Sequence, residues 1–321
     1  MIAVLYLYRG MFQPSQDYAM QNPDSRSISG NQYRPSKASR NRLMFPREHG
    51  AWGMVSLPFL AGMFVAGNWM NLRTLAAALV IYAVFLLREP LLYFWRAHSA
   101  KSKFGSTNPA VAISSEEHNL RNSALISLIA YGLIAAVSGA NLLTVLNLAP
   151  LFLIALGASV LMLVALYFTV HNRQRNPFLQ IAVALGLTSS SLLAYLAGKG
   201  QWDESAYWIW LLSAANSGVS ITVVHARLET LLAFRKPELA TVASRRNAWI
   251  AQASLYVLLL GLLLIGKPWL TIPFVPPVLL HSWELWCLRS GPQKLSMHQV
   301  GWMQLGGSVS FCLLLILVLR N

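Results

Sequence analysis

Residues 45 to 52 read FPREHGAW and run directly into GMVSLPFLAGMFVAG. Arg47, Glu48 and His49 therefore stand at the threshold of an apolar segment. A carboxylate and an imidazole can act as acid and base once burial or a neighbouring charge tunes them. A guanidinium beside them can clamp an anion through its planar fork. Gly50 and Gly53 would admit close backbone approach, and Trp52 sits where an aromatic anchors a helix at a membrane interface. A helix cap with a basic flank would account for Arg47 and Trp52 equally well. For Glu48 and His49 the cost of ionisable groups next to hydrocarbon favours a site.

Two further stretches place charge inside apolar runs. In LLREPLLYFWRAHS, Arg88 and Glu89 interrupt what otherwise reads as a membrane helix. Neighbours on a helix point about 100° apart, so each needs a partner elsewhere. In VVHARLETLLAFRKPE, His225 and Glu229 share a face while Arg227 lies off it. One such pair is not a metal site, and no metal ligand set is assigned. HSWELW puts His281 and Glu284 on one face, deep enough that Glu284 must be protonated or paired, an arginine being the natural partner. The run Thr188 to Ser191 reads as small residues for close helix packing. The acid–base candidates are His49, Glu48 and Glu89. The anion- or ligand-binding candidates are Arg47, Arg88, Arg175, His225, Arg227 and Arg246.

Other chemistries lack their parts. Asp17, Asp24 and Asp203 are the aspartates, placed in a tail and a loop, so a Ser-His-Asp arrangement has no support. Cys287 and Cys312 lie in apolar runs without metal or redox spacing. There is no glycine-rich phosphate loop.

The elements that must hold these groups are membrane helices. The chain has 321 residues, of which 55% are hydrophobic and 11% charged, against roughly 25% charged in soluble domains. Nine apolar stretches approach the length that crosses about 30 Å of hydrocarbon: 50–67, 73–94, 122–140, 145–170, 178–197, 205–225, 248–266, 268–287 and 301–319. Lys267 and Pro268 predict a tight hairpin between the seventh and eighth, and Pro58 and Pro273 predict kinks. Residues 1–43, rich in Gln, Ser, Asn and Pro with scattered basic groups, read as a disordered tail. Residues 44–321 form the transmembrane helical domain.

The net charge of +14 is distributed as membrane topology rather than as a nucleic-acid surface. With the amino terminus in the cytoplasm, all Lys and Arg but Arg73, Lys199, Lys267 and Arg320 fall on the inner side. That bias predicts a cytoplasmic amino terminus and, after nine spans, an external carboxyl terminus. The inward-starting helices open with PREHGAW, EEHNLRN, RQRNP, SRRNAW and HQVGW. Polar residues thus meet five helix amino termini on one face, an anion-receptive arrangement.

PREHGAWGMVSLPFLAG resembles the opening signature of the YwiC-like family of bacterial integral membrane proteins, and Arg88-Glu89-Pro90 adds to the likeness. The resemblance implies a multi-pass protein of the bacterial inner membrane and carries no activity with it. More distantly, nine helices with polar breaks near the inner ends of the second and sixth are similar to the UbiA prenyltransferase superfamily. That likeness implies a UbiA-like topology and an isoprenoid diphosphate held by Mg²⁺ on two aspartate-rich motifs. Here the breaks read LREPLLYFWR and VHARLETLLAFR, with one glutamate each and no aspartate. Mg²⁺ wants several hard oxygen ligands, so Mg-diphosphate binding is not supported and the cofactor stays unassigned. Arginine in those places favours direct capture of an anion.

The expectation is an all-α, polytopic bundle with a cytoplasm-facing polar pocket for an amphipathic anion, isoprenoid-like or lipid-like, with membrane lipids as neighbours. A permease for a small anion and a non-enzymatic structural subunit are the alternatives. No nucleic-acid partner is expected.

Overall fold

The computed structural model describes residues 43–46, 49–103, 115–146, 148–170, 177–235, 242–289 and 297–320. Arg47, Glu48 and Arg175 lie outside them, as do residues 1–42 and the side chain of His49. The described residues are helical almost throughout. The helices are α1 (His49–Ala66), α2 (Leu72–Lys103), α3 (Ser115–Val145), α4 (Leu148–Val170), α5 (Pro177–Thr188), α6 (Ser190–Lys199), α7 (Glu204–Arg235), α8 (Val242–Leu264), α9 (Val275–Cys287) and α10 (Met297–Arg320). A 3-10 segment, Pro268–Phe274, precedes α9. In hydrocarbon only structures that satisfy their own backbone hydrogen bonds persist, and long runs of Leu, Ala, Val and Ile do so as helices.

Among the described residues, seven helical segments are long and apolar enough to cross a membrane, with α5 and α6 counted as one: Leu72–His98, His118–Thr144, Ala149–Val170, Leu179–Lys199, Glu204–Thr230, Ser244–Leu264 and Gln299–Arg320. The expected first and eighth spans are helical but depart from that form. At roughly 1.5 Å per residue, the 18 residues of α1 reach nearly the hydrocarbon thickness. Residues 268–287 divide into the 3-10 segment and α9. Pro268, Pro273, Pro276 and Pro277 lack the N–H groups that a continuous α-helix needs, and Pro276 and Pro277 fall in the first turn of α9, where none is required. With roughly 2.0 Å per 3-10 residue, the pass keeps its reach in two pieces.

The fifth span is also divided. Its helix breaks at Ser189, and hydroxyls repair the break: Thr188 Oγ1 donates to the Ala184 carbonyl at 2.6 Å, Ser189 Oγ to Gly186 at 2.7 Å and Ser191 Oγ to Thr188 at 2.8 Å. Back-bonding of this kind bends helices and supplies partners where the ladder is interrupted. Ser190 Oγ reaches across to the Val55 carbonyl of α1 at 2.9 Å. The packing role expected of Thr188 to Ser191 is what the geometry holds.

This divided span is the centre of the bundle. Of its membrane-crossing window 67% is buried, against 11% for α4. Every residue from Ser190 to Gly198 is buried. The close approach sits at Gly62, where an added Cβ would stand 2.3 Å from the Ser191 carbonyl oxygen. Gly53, expected to serve that purpose, would meet only Leu305 at an ordinary 3.9 Å.

At one end of the bundle lie the start of α1, the end of α2 and the start of α10; at the other, Ala66, Gly198 and the start of α7. Exposed Trp286 and Trp302 mark the first end, and Trp69 and Trp269 the second. Two such girdles are what a chain with two membrane interfaces carries.

Candidate functional site

The α7 helix brings the conspicuous charges together with their surroundings. Arg227 is buried against protein, while residues 213, 216, 217, 220, 224 and 225 border a cavity of about 1490 Å³. Arg227 falls in the same helical stripe as Ser213, Asn216 and Ser220, so its partner on α9, and not helical spacing, keeps it out of the wall.

Arg227 is 3% exposed and Glu284 1% exposed. Arg227 Nη1 donates to Glu284 Oε1 at 3.1 Å. Gln304 Nε2 donates to Glu284 Oε2 at 2.8 Å. The Gln304 Oε1 lies 3.4 Å from His281 Nε2, and Ser220 Oγ lies 3.2 Å from the same nitrogen. Residues of α7, α9 and α10 thus form one buried polar chain. The expected arginine partner of Glu284 is Arg227, one of the residues also read as an anion clamp. A charge so committed secures helix against helix, and it is not among the residues that line the cavity.

The cavity is lined by α1, α2, α4, α5, α6, α7 and α10, with Gly139, Leu142 and Leu143 from α3. Most of its wall is aliphatic, which departs from the polar pocket expected. Polar groups enter in a graded way. Arg88, Gln180, His225 and Thr169 line it towards the end where α1 begins. Gln180 Nε2 and His225 Nδ1 are 2.6 Å apart, which fixes the imidazole against α5. Ser189, Ser190, Ser213, Asn216, Ser217 and Ser308 follow in the middle, and Leu142, Leu151 and Phe152 close the series at the far end.

Of the expected site residues, the cavity wall holds Arg88 and His225. Glu89, next to Arg88 in α2, is half-buried but is not part of the wall, and Arg246 is exposed on α8. His49 opens α1 immediately before Gly50, which does line the cavity. Gln180, Gln304 and the stripe Ser213, Asn216, Ser217 and Ser220 were not singled out from the sequence. The stripe has a legible signal, since 213, 216, 217 and 220 recur at the spacing of one helical face. Among the described residues no three of His, Cys, Asp or Glu gather as metal ligands.

Apolar helices of this number and length, two aromatic girdles and a charged pair hidden inside the bundle define a polytopic helical membrane protein. Residues 45–197 match the family model described as YwiC-like protein, from the FPREHGAW entry through the divided fifth span. No curated protein and no solved structure matches. The wider likeness to UbiA prenyltransferases rests on the residues quoted for it.

Proposed function

We propose that the cavity holds an amphipathic ligand with an anionic head at the Arg88 and His225 end and an acyl or isoprenoid-like tail towards Leu142, Leu151 and Phe152. The graded wall carries this reading: charge, then hydroxyl and amide, then hydrocarbon along one continuous space. Its volume of about 1490 Å³ exceeds the roughly 300–1,000 Å³ of small-molecule pockets, which supports a ligand with a long tail. Arg47 and Arg175 remain in the proposal as further anion contacts, and Glu48, His49 and Glu89 as acid–base groups. Arg246, exposed on α8, suits the headgroups of the surrounding leaflet. The Lys and Arg bias supports a cytoplasmic head end, and the family match supports placement in a bacterial inner membrane.

A titration tests it. Hexadecyl phosphate added to the detergent-solubilised protein should change tryptophan fluorescence saturably, since Trp302 borders the cavity. Hexadecanol should bind more weakly, and Arg88→Gln should narrow the difference. Losing one charge-assisted hydrogen bond costs about 1.5–3 kcal/mol, about tenfold or more in affinity. Equal affinity for phosphate and alcohol would remove the anionic head from the reading.

One observation favours a permease for a small anion instead. The fifth span is discontinuous at Ser189 within the cavity wall, and transporters often bind substrate at broken helices. Against it, the far end of the space is aliphatic. Uptake of labelled phosphate into proteoliposomes would favour the permease.

A further inference from the structure

The middle of the cavity wall is more polar than a hydrocarbon tail requires. Ser213, Asn216, Ser217 and Ser220 lie on one face of α7 and all border the space. Asn216 is 4% exposed, and its Oδ1 has no hydrogen-bond partner among the described residues. A buried carboxamide left unpaired costs free energy. A chain that needed only a lipid slot could place leucine there.

We infer that this stripe recognises an uncharged hydroxyl or amide that lies between the anionic head and the apolar tail of the ligand. The inference rests on the reading of the cavity as a site for head and tail, and it narrows the substrate class within that reading. Asn216 stands four residues before Ser220 and nine before His225, about 6 Å and about 14 Å along the axis at roughly 1.5 Å per residue. A linker hydroxyl next to the headgroup falls beside Ser220, and the ester or amide beyond it points towards Ser217 and Asn216. Turned towards the space, the Asn216 carboxamide can accept from a ligand hydroxyl or amide N–H through its oxygen or donate through its nitrogen, with the serine hydroxyls donating or accepting beside it. An alkyl or prenyl phosphate has nothing to offer these groups; a glycerol- or amide-linked lipid phosphate does.

The test compares two probes with the same tail length. Hexadecyl phosphate has no linker, and 1-palmitoyl lysophosphatidic acid inserts an ester and a hydroxyl between phosphate and chain. With the wild-type protein in detergent, the linked probe should bind about fivefold to tenfold more tightly, the worth of roughly one hydrogen bond. Asn216→Leu should bring the two affinities together. Ser213→Ala with Ser217→Ala provides a milder variant that should halve the preference or more if Asn216→Leu fails to fold. Equal wild-type affinity for the two probes overturns the linker and leaves the head-and-tail reading standing. Failure of both probes to bind overturns both.

Discussion

Arg227 Nη1 lies 3.1 Å from Glu284 Oε1, and neither side chain reaches the surface. The pair ties α7 to α9, and Gln304 on the second carboxylate oxygen ties α10 to both. Two charges in hydrocarbon hold only while each keeps its counterpart. Glu284→Leu is therefore expected to destabilise the protein by about 3–5 kcal/mol, whereas Arg227→Met with Glu284→Leu should recover most of the loss. Thermal unfolding in detergent, compared across the single and double variants, checks this.

The glycines predict a sharper contrast. A Cβ on Gly62 would sit 2.3 Å from the Ser191 carbonyl oxygen and one on Gly198 would sit 2.6 Å from Ala66 Cβ. Backbone cannot move aside cheaply in the most buried part of the bundle, so Gly62→Ala should cost about 1–3 kcal/mol. Gly132→Ala on α3, where an added Cβ meets nothing within 4 Å, should be neutral or slightly stabilising because alanine favours helix. Equal melting temperatures for the two variants would show that α1 and α6 do not approach as described.

Acid should loosen the opposite end. Asp203 accepts from Tyr195 at 2.8 Å and from Lys199 Nζ at 2.5 Å, and Ser205 N donates to it at 3.0 Å. Burial pushes its carboxyl up, but the hydrogen bonds from Lys199 and Tyr195 outweigh burial and hold it below the ordinary aspartate range. A depressed folded value means stability present above the unfolded value, about 3.9, and lost as pH falls through the folded one. Asp203→Asn should have a lower melting temperature at neutral pH and less change below about pH 4 than the wild type. Parallel curves for the two proteins would contradict the ion pair.

How far these contacts could be read in advance depends on how many helices each one needs. Glu284 could be assigned an arginine partner because depth along one helix is a local property. Naming Arg227 required bringing α7 against α9, which spacing within either helix does not specify. The bundle of apolar spans was legible from run length and charge bias. The 3-10 entry to α9 was foreshadowed by Pro268, Pro273, Pro276 and Pro277, yet a hydropathy run alone reads 268–287 as one rod. Ser213, Ser217 and Ser220 blend into an apolar run because serine lowers hydropathy little, although their spacing with Asn216 marks one helical face. Arg47, Glu48 and Arg175 lie outside the described residues and keep their expected roles as proposals.

The graded cavity makes the central claim open to one direct measurement. Lipids retained by the full-length protein after extraction in mild detergent can be identified by mass spectrometry for the wild type, Arg88→Ala and Ala158→Trp. The first variant removes charge from the head end, and the second places an indole into the space beside α4. The account predicts one anionic amphipathic species enriched over bulk membrane lipid in the wild type and lost from both variants. The same bulk lipid profile in all three proteins would contradict it.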